Sequence, residues 1–138
     1  MSELIEVLRR LTGDPPDSRE LDGLDAWWTT HASAKQGFAT SIGSAFVCGF
    51  AADRLGYAFA SGYNEALGAL VPSMRGVKAA ICATEKGSAH PRSIETKLVE
   101  IEDRYRLEGT KSFVTMGEYA EELLVVASAG LDDHDRNR

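Results

Sequence analysis

The hydrophobic period changes near Arg75, and that change constrains the fold more than any other feature. Before it, apolar residues recur every three to four positions, the spacing of a helix face. After it, they alternate or run together in short stretches bounded by turn residues, as strands do. The reading is α+β: an α-helical N-terminal domain over 1–76, followed by antiparallel β-strands over 77–138.

In the front half, Leu4, Ile5, Val7, Leu8 and Leu11 predict an amphipathic helix over 2–11. Ser2 can cap it, and Gly13 followed by Asp14-Pro15-Pro16 ends it. Leu21, Leu24, Trp27, Trp28 and His31 predict a second helix after Ser18. Residues 32–43 read as a loop or a weak helix. The strongest pattern predicts one helix over 44–70, with Val47, Ala51, Leu55, Ala58, Phe59, Tyr63, Leu67 and Leu70 along one face. Val71-Pro72 stops it, because proline lacks a donor and restricts the residue before it. Phe46, Phe50, Phe59 and Tyr63, at helical spacing, are read as core rather than as a ligand box.

In the back half, 77–84 reads as a buried strand, and 94–102 alternates through Thr96, Leu98 and Glu100 against Lys97, Val99 and Ile101. A hairpin is expected, with Glu102-Asp103 near its turn and 104–107 as its return strand. Residues 113–115 are expected to continue as strand until Gly117, and 123–128 reads as a further buried strand.

Charge narrows the possible partners. With 15 basic and 21 acidic residues the net charge is −6, which disfavours a nucleic-acid binder, since that needs a dense basic face. Cys48 and Cys82 form no disulfide framework or zinc pattern and read as buried free thiols in a reducing compartment. No leader and no bilayer-length apolar run is apparent, so a soluble, cytoplasmic protein without a membrane partner is expected. His31 and His134 show no constellation, and His90 before Pro91 reads as a turn residue.

Two segments carry the chemistry. One ends in Ala83-Thr84-Glu85-Lys86-Gly87; the other is Gly109-Thr110-Lys111-Ser112-Phe113-Val114-Thr115-Met116-Gly117. Each presents a threonine hydroxyl where a strand ends and backbone groups lose their ladder partners. Backbone groups of Ala83 and Val114, with the hydroxyls of Thr84 and Thr115, can meet the edge of a flat heterocycle, and the Phe113 ring can cover its face.

The pair resembles the acyl-CoA dehydrogenase family. That family carries T-E-P-x-x-G-S-D at the start of its middle β-domain and, some thirty residues on, n-G-x-K-x-W-I-T-n-G-x-x-A-d. Here the first is similar to Thr84-Glu85-Lys86-Gly87-Ser88, and the second to 109–120, with the two threonines 31 residues apart. Ile94-Glu95-Thr96, Leu124-Val125-Val126-Ala127 and the helical stretch 52–60 resemble further family segments, so the likeness covers about 44–129. It implies an incomplete β-barrel domain over 77–138 and FAD as cofactor. Thr84 would bond the pyrimidine side, Phe113 would take the tryptophan position, and Thr115 would sit near flavin N5. It also implies an acyl-CoA or similar thioester substrate, α,β-dehydrogenation, an electron-transfer flavoprotein as acceptor, and a homo- or hetero-oligomer.

The departures shape the expectation. Lys86 replaces the family's proline, and the G-S-D triplet is out of phase, with Ser88 and Arg92 as substitute substrate-binding candidates. No catalytic base can be assigned; Glu85, Glu118, Glu121 and Glu122 are available without a motif to place them, and no metal site is expected. The C-terminal helical domain that supplies the family's base is not found in these 138 residues. Three readings stay open: part of an acyl-CoA dehydrogenase-like flavoprotein, one subunit of a split flavoenzyme, or a non-catalytic binding or scaffold module.

Overall fold

The computed structural model describes residues 3–13, 19–87 and 90–137, apart from the side chain of Pro91. The chain is α+β and divides into two compact units, Met1–Val77 and Lys78–Arg138. Ser2, the expected cap of the first helix, and residues 14–18, which hold its expected terminator, lie outside the described residues.

Among the described residues the first unit has four helices: α1 (Glu3–Thr12), α2 (Gly23–Ala34), α3 (Ser41–Phe50) and α4 (Leu55–Leu70), the last followed by a 3-10 turn at Pro72–Met74. A small core joins Val7 of α1 to Val47 and Cys48 of α3, with Ala34 and Phe38 packed against it. The Thr40 hydroxyl caps α3 by accepting the Gly43 amide at 3.0 Å. It also donates to the Glu3 carboxylate at 2.6 Å, which pins α1 to the start of α3. Trp27 anchors α2. Its ring is 1% exposed, and its Nε1 donates to the Tyr57 carbonyl and to the Ser61 hydroxyl, each at 3.1 Å.

The single helix expected over 44–70 is two helices. The break falls at Ala51–Arg54, where ion pairing and loop capture outweigh helical propensity. The Asp53 carboxylate accepts the Leu21 amide at 2.7 Å, and the Arg54 guanidinium donates to that carboxylate and to the Leu21 carbonyl. Arg54 is extended (φ −148°, ψ 154°) and starts α4. α3 and α4 therefore fold back as a helical hairpin, and Gly49 lies against Ala58. The break also resets the phase of the buried face. On α4 it consists of Ala60, Ser61, Asn64, Leu67 and Gly68. Phe46 and Phe59, expected as core, are 44% and 59% exposed, and Phe59 instead stacks on Tyr63.

In the second unit β1 (Ala79–Cys82) pairs with β4 (Glu122–Val125), and β2 (Lys97–Ile101) pairs with β3 (Arg104–Glu108). The hairpin forms as expected, with Ile101 opposite Arg104 and Lys97 opposite Glu108. Its two-residue turn places Glu102 at φ 53°, the left-handed conformation such tight turns require. The other pair corrects the all-antiparallel expectation: β1 and β4 run parallel, with Ala79 opposite Glu122 and Cys82 opposite Val125. Among the described residues the four short strands lie in two-stranded sheets and form no closed barrel. The Leu98 amide donates to the Ser128 carbonyl and the Ser128 amide to the Thr96 carbonyl, both at 2.8 Å, so the chain after β4 ties the hairpin to the parallel pair. The strand expected over 113–115 is absent: Phe113 and Met116 have φ of 55° and 59°, and the segment is a turn.

Candidate functional site

The two threonine segments lie side by side. The Ser112 amide donates to the Thr84 carbonyl at 2.9 Å. One residue earlier, the Lys111 ammonium reaches the Glu85 carboxylate at 2.6 Å and the Ala83 carbonyl at 3.4 Å. Gly109 in turn lies close against Thr96, where a Cβ would stand 2.7 Å from the Thr96 Cα. Sequence reasoning quoted Lys111 and Glu85 as motif letters and gave Lys111 no role. They are the clamp of the site, with side chains only 9% and 8% exposed.

Glu85 is not an available base. Its carboxylate also accepts the Glu95 amide at 2.7 Å and the Thr96 amide at 2.9 Å. The Lys111 ammonium first, and then these two amides, hold its pKa down to about 2, from an ordinary 4.5. The clamp thereby folds the loop before β2 back onto the end of β1. Glu118, Glu121 and Glu122 are exposed, and the Glu121 carboxylate faces Lys78 at 3.4 Å.

Beyond the clamp the chain turns outward. Phe113 holds a left-handed backbone conformation that a bulky residue rarely adopts, with its side chain 90% exposed. Val114 to Gly117 is a tight turn closed by the Gly117 amide on the Val114 carbonyl at 3.1 Å, which presents Thr115 to solvent. The amides of Phe113, Val114 and Thr115 and the hydroxyls of Thr84 and Thr115 make no hydrogen bond to the described residues. The Ser112 hydroxyl is covered yet also has no partner among them. A flat ligand with edge acceptors and donors fits this donor-rich surface. Ala83 and Thr84 on one segment and Phe113, Val114 and Thr115 on the other thus share one open surface.

Other candidates fall elsewhere. Ser88 lies outside the described residues. Arg92 is exposed on a 3-10 turn (Pro91–Ser93), and its backbone amide donates to His90 Nδ1 at 3.1 Å, which makes His90 a capping residue of that turn. The large hollow of this unit, about 920 Å³, lies beside β2 and residues 128–131, and none of the five flavin candidates lines it. Cys48 and Cys82 are buried free thiols. Burial first, and the Glu65 charge next, push the Cys48 thiol up to about 12. Among the described residues no cluster of His, Cys, Asp and Glu could hold a metal, and no helix is long and apolar enough to cross a membrane.

No family model matches the chain, and no match is found among curated proteins or solved structures.

Proposed function

We propose that residues 78–138 supply one wall of a flavin site in an acyl-CoA dehydrogenase-like oxidoreductase. The observation that carries the reading is the junction of the two threonine segments at Ser112 and Thr84 beside an outward Phe113 ring. The unbonded hydroxyls and amides would meet the flavin edge, and Phe113 would cover part of its face. Bound there, FAD would supply a hydride acceptor for an α,β-dehydrogenation. The contribution of this chain is to bind and orient. Thr84 and Thr115 fix the edge, and the Glu85–Lys111 clamp keeps the two segments in register.

The openness of this wall favours a split arrangement as second reading. Phe113 is 90% exposed and does not line the large hollow of this unit, so a further protein surface, on another subunit or further along the same polypeptide, would have to cover the second flavin face and bring the base. A purely binding or scaffold role needs no such surface.

Substitution separates the roles. Phe113→Ala should weaken FAD binding about tenfold or more, the loss of one stacked ring, and Thr115→Val by a smaller factor. Flavin fluorescence quenching measures both, with thermal melting as the check on folding. Equal quenching by wild type and Phe113→Ala would remove this surface from the flavin site.

A further inference from the structure

The first unit contains a polar hollow of about 360 Å³ made from three helices and the turn after them. Its chemistry comes from Lys35 and Gln36 at the end of α2, Ser41 and Ser44 on α3, Glu65 on α4, and Arg75. None of these residues was singled out by sequence reasoning, because they lie up to forty positions apart.

Glu65 is held from one side only. Its Oε1 accepts from Lys35 Nζ at 2.8 Å and faces His31 Nε2 at 3.1 Å. Its Oε2 has no partner among the described residues. Burial alone would raise its pKa, but the His31 and Lys35 hydrogen bonds outweigh that and hold it below the ordinary value, so the carboxylate stays charged. His31 is fixed in place: it is 1% exposed and its ring lies flat on Trp28, 5.1 Å away and 7° from parallel.

Two further groups converge on the hollow. Ser44 is 4% exposed, lines it, and its hydroxyl bonds to no described residue. Its Oγ is not among the fully covered unpartnered atoms, so it opens to the hollow, where water or a ligand can meet it. Arg75 is planted by its Nε, which donates to the Gly68 carbonyl at 3.1 Å. Gly68 allows this, since a Cβ there would press within 3.0 Å of Arg75 Cγ. The outer nitrogens of Arg75 meet no carboxylate among the described residues. Glu65 and Gly68 are three residues apart on α4, so the free carboxylate oxygen and the anchored guanidinium share one helix face.

The hollow thus has a cationic pole at Arg75, a free acceptor at Glu65 and a free hydroxyl at Ser44. The lining itself carries two cations and one carboxylate, with the Glu3 carboxylate already bound behind it by Ala39 and Thr40. We infer that the hollow binds a small carboxylate bearing a neighbouring hydroxyl or ammonium group. The ligand carboxylate would lie on the Arg75 fork, the geometry in which arginine binds carboxylates best. Its hydroxyl or ammonium would donate to Glu65 Oε2, and Ser44 would bond the carboxylate from the opposite wall. The volume suits a ligand of this size with accompanying water.

The test is an amide-resonance titration of the whole chain with lactate, alanine and acetate. Lactate or alanine should give saturable shifts confined to α2, α3, the Glu65 turn of α4 and Arg75, with a dissociation constant of about 1 mM. Acetate, which lacks the donor for Glu65, should bind at least tenfold more weakly. Arg75→Ala should weaken lactate or alanine binding at least tenfold, and Ser44→Ala a few-fold. Should Arg75→Ala disturb the fold through the lost Gly68 bond, Glu65→Gln replaces it as the test and should erase the preference over acetate. Shifts that never saturate, equal binding of acetate, or binding indifferent to both substitutions would overturn the proposal.

Discussion

Glu85 shows how a single carboxylate can organise a site without reacting in it. It joins three parts of the second unit: the end of β1, the Lys111 segment and the loop before β2. Its pKa is lower folded than unfolded, so the unfolded chain binds the extra proton as pH falls. The stabilisation is complete above the ordinary 4.5 and is lost as pH falls towards about 2. Asp53 behaves alike in the first unit, held to about 2 by Arg54. Acid unfolding followed by circular dichroism should therefore begin below about pH 4.5. Glu85→Gln should lower the melting temperature by several degrees at neutral pH and flatten the acid slope, leaving the shares due to Glu3, Asp53, Glu65 and Asp132. An unchanged slope would mean that the clamp does not form.

At the scale of elements, Trp27 fixes α2 against α4 through Tyr57 and Ser61. Trp27→Ala should cost about 3–5 kcal/mol in denaturant unfolding, the range for deleting a buried large aromatic. Ser61→Ala should cost about 1 kcal/mol, because the indole keeps its bond to the Tyr57 carbonyl. The elements were only partly legible in the sequence. Local signals served well for α1 and the hairpin, where period and turn agree. They misled over 44–70, because Asp53 and Arg54 break the helix through bonds to Leu21, more than thirty residues away. They misled again at 113–115, where Phe113 and Val114 have high strand propensity but the chain turns at positive φ. The parallel pairing of β1 with β4 has no local signature, since it joins segments about forty residues apart. The candidate site was half legible. Its threonines and Phe113 stand out as motif letters, whereas the Glu85–Lys111 clamp and the His31–Glu65–Lys35 cluster emerge only when distant segments meet.

At the scale of the whole molecule, apolar surface remains open. Leu98, Tyr105 and Leu107 on the hairpin are 37%, 67% and 50% exposed, and among the described residues β3 has no strand on its outer side. Such an edge is a template for pairing. Sedimentation velocity should show association that grows with protein concentration, and Leu107→Lys should shift it towards monomer. A monomer at all concentrations would mean that the hairpin edge attracts no partner copy.

The central claim, that the Thr84 and Thr115 segments form a flavin wall, is tested most directly by titrating the purified chain with FAD and recording the visible spectrum. The account predicts saturable quenching and a shifted flavin band, both lost in Phe113→Ala. FAD that stays spectroscopically free at saturating protein concentration would contradict it.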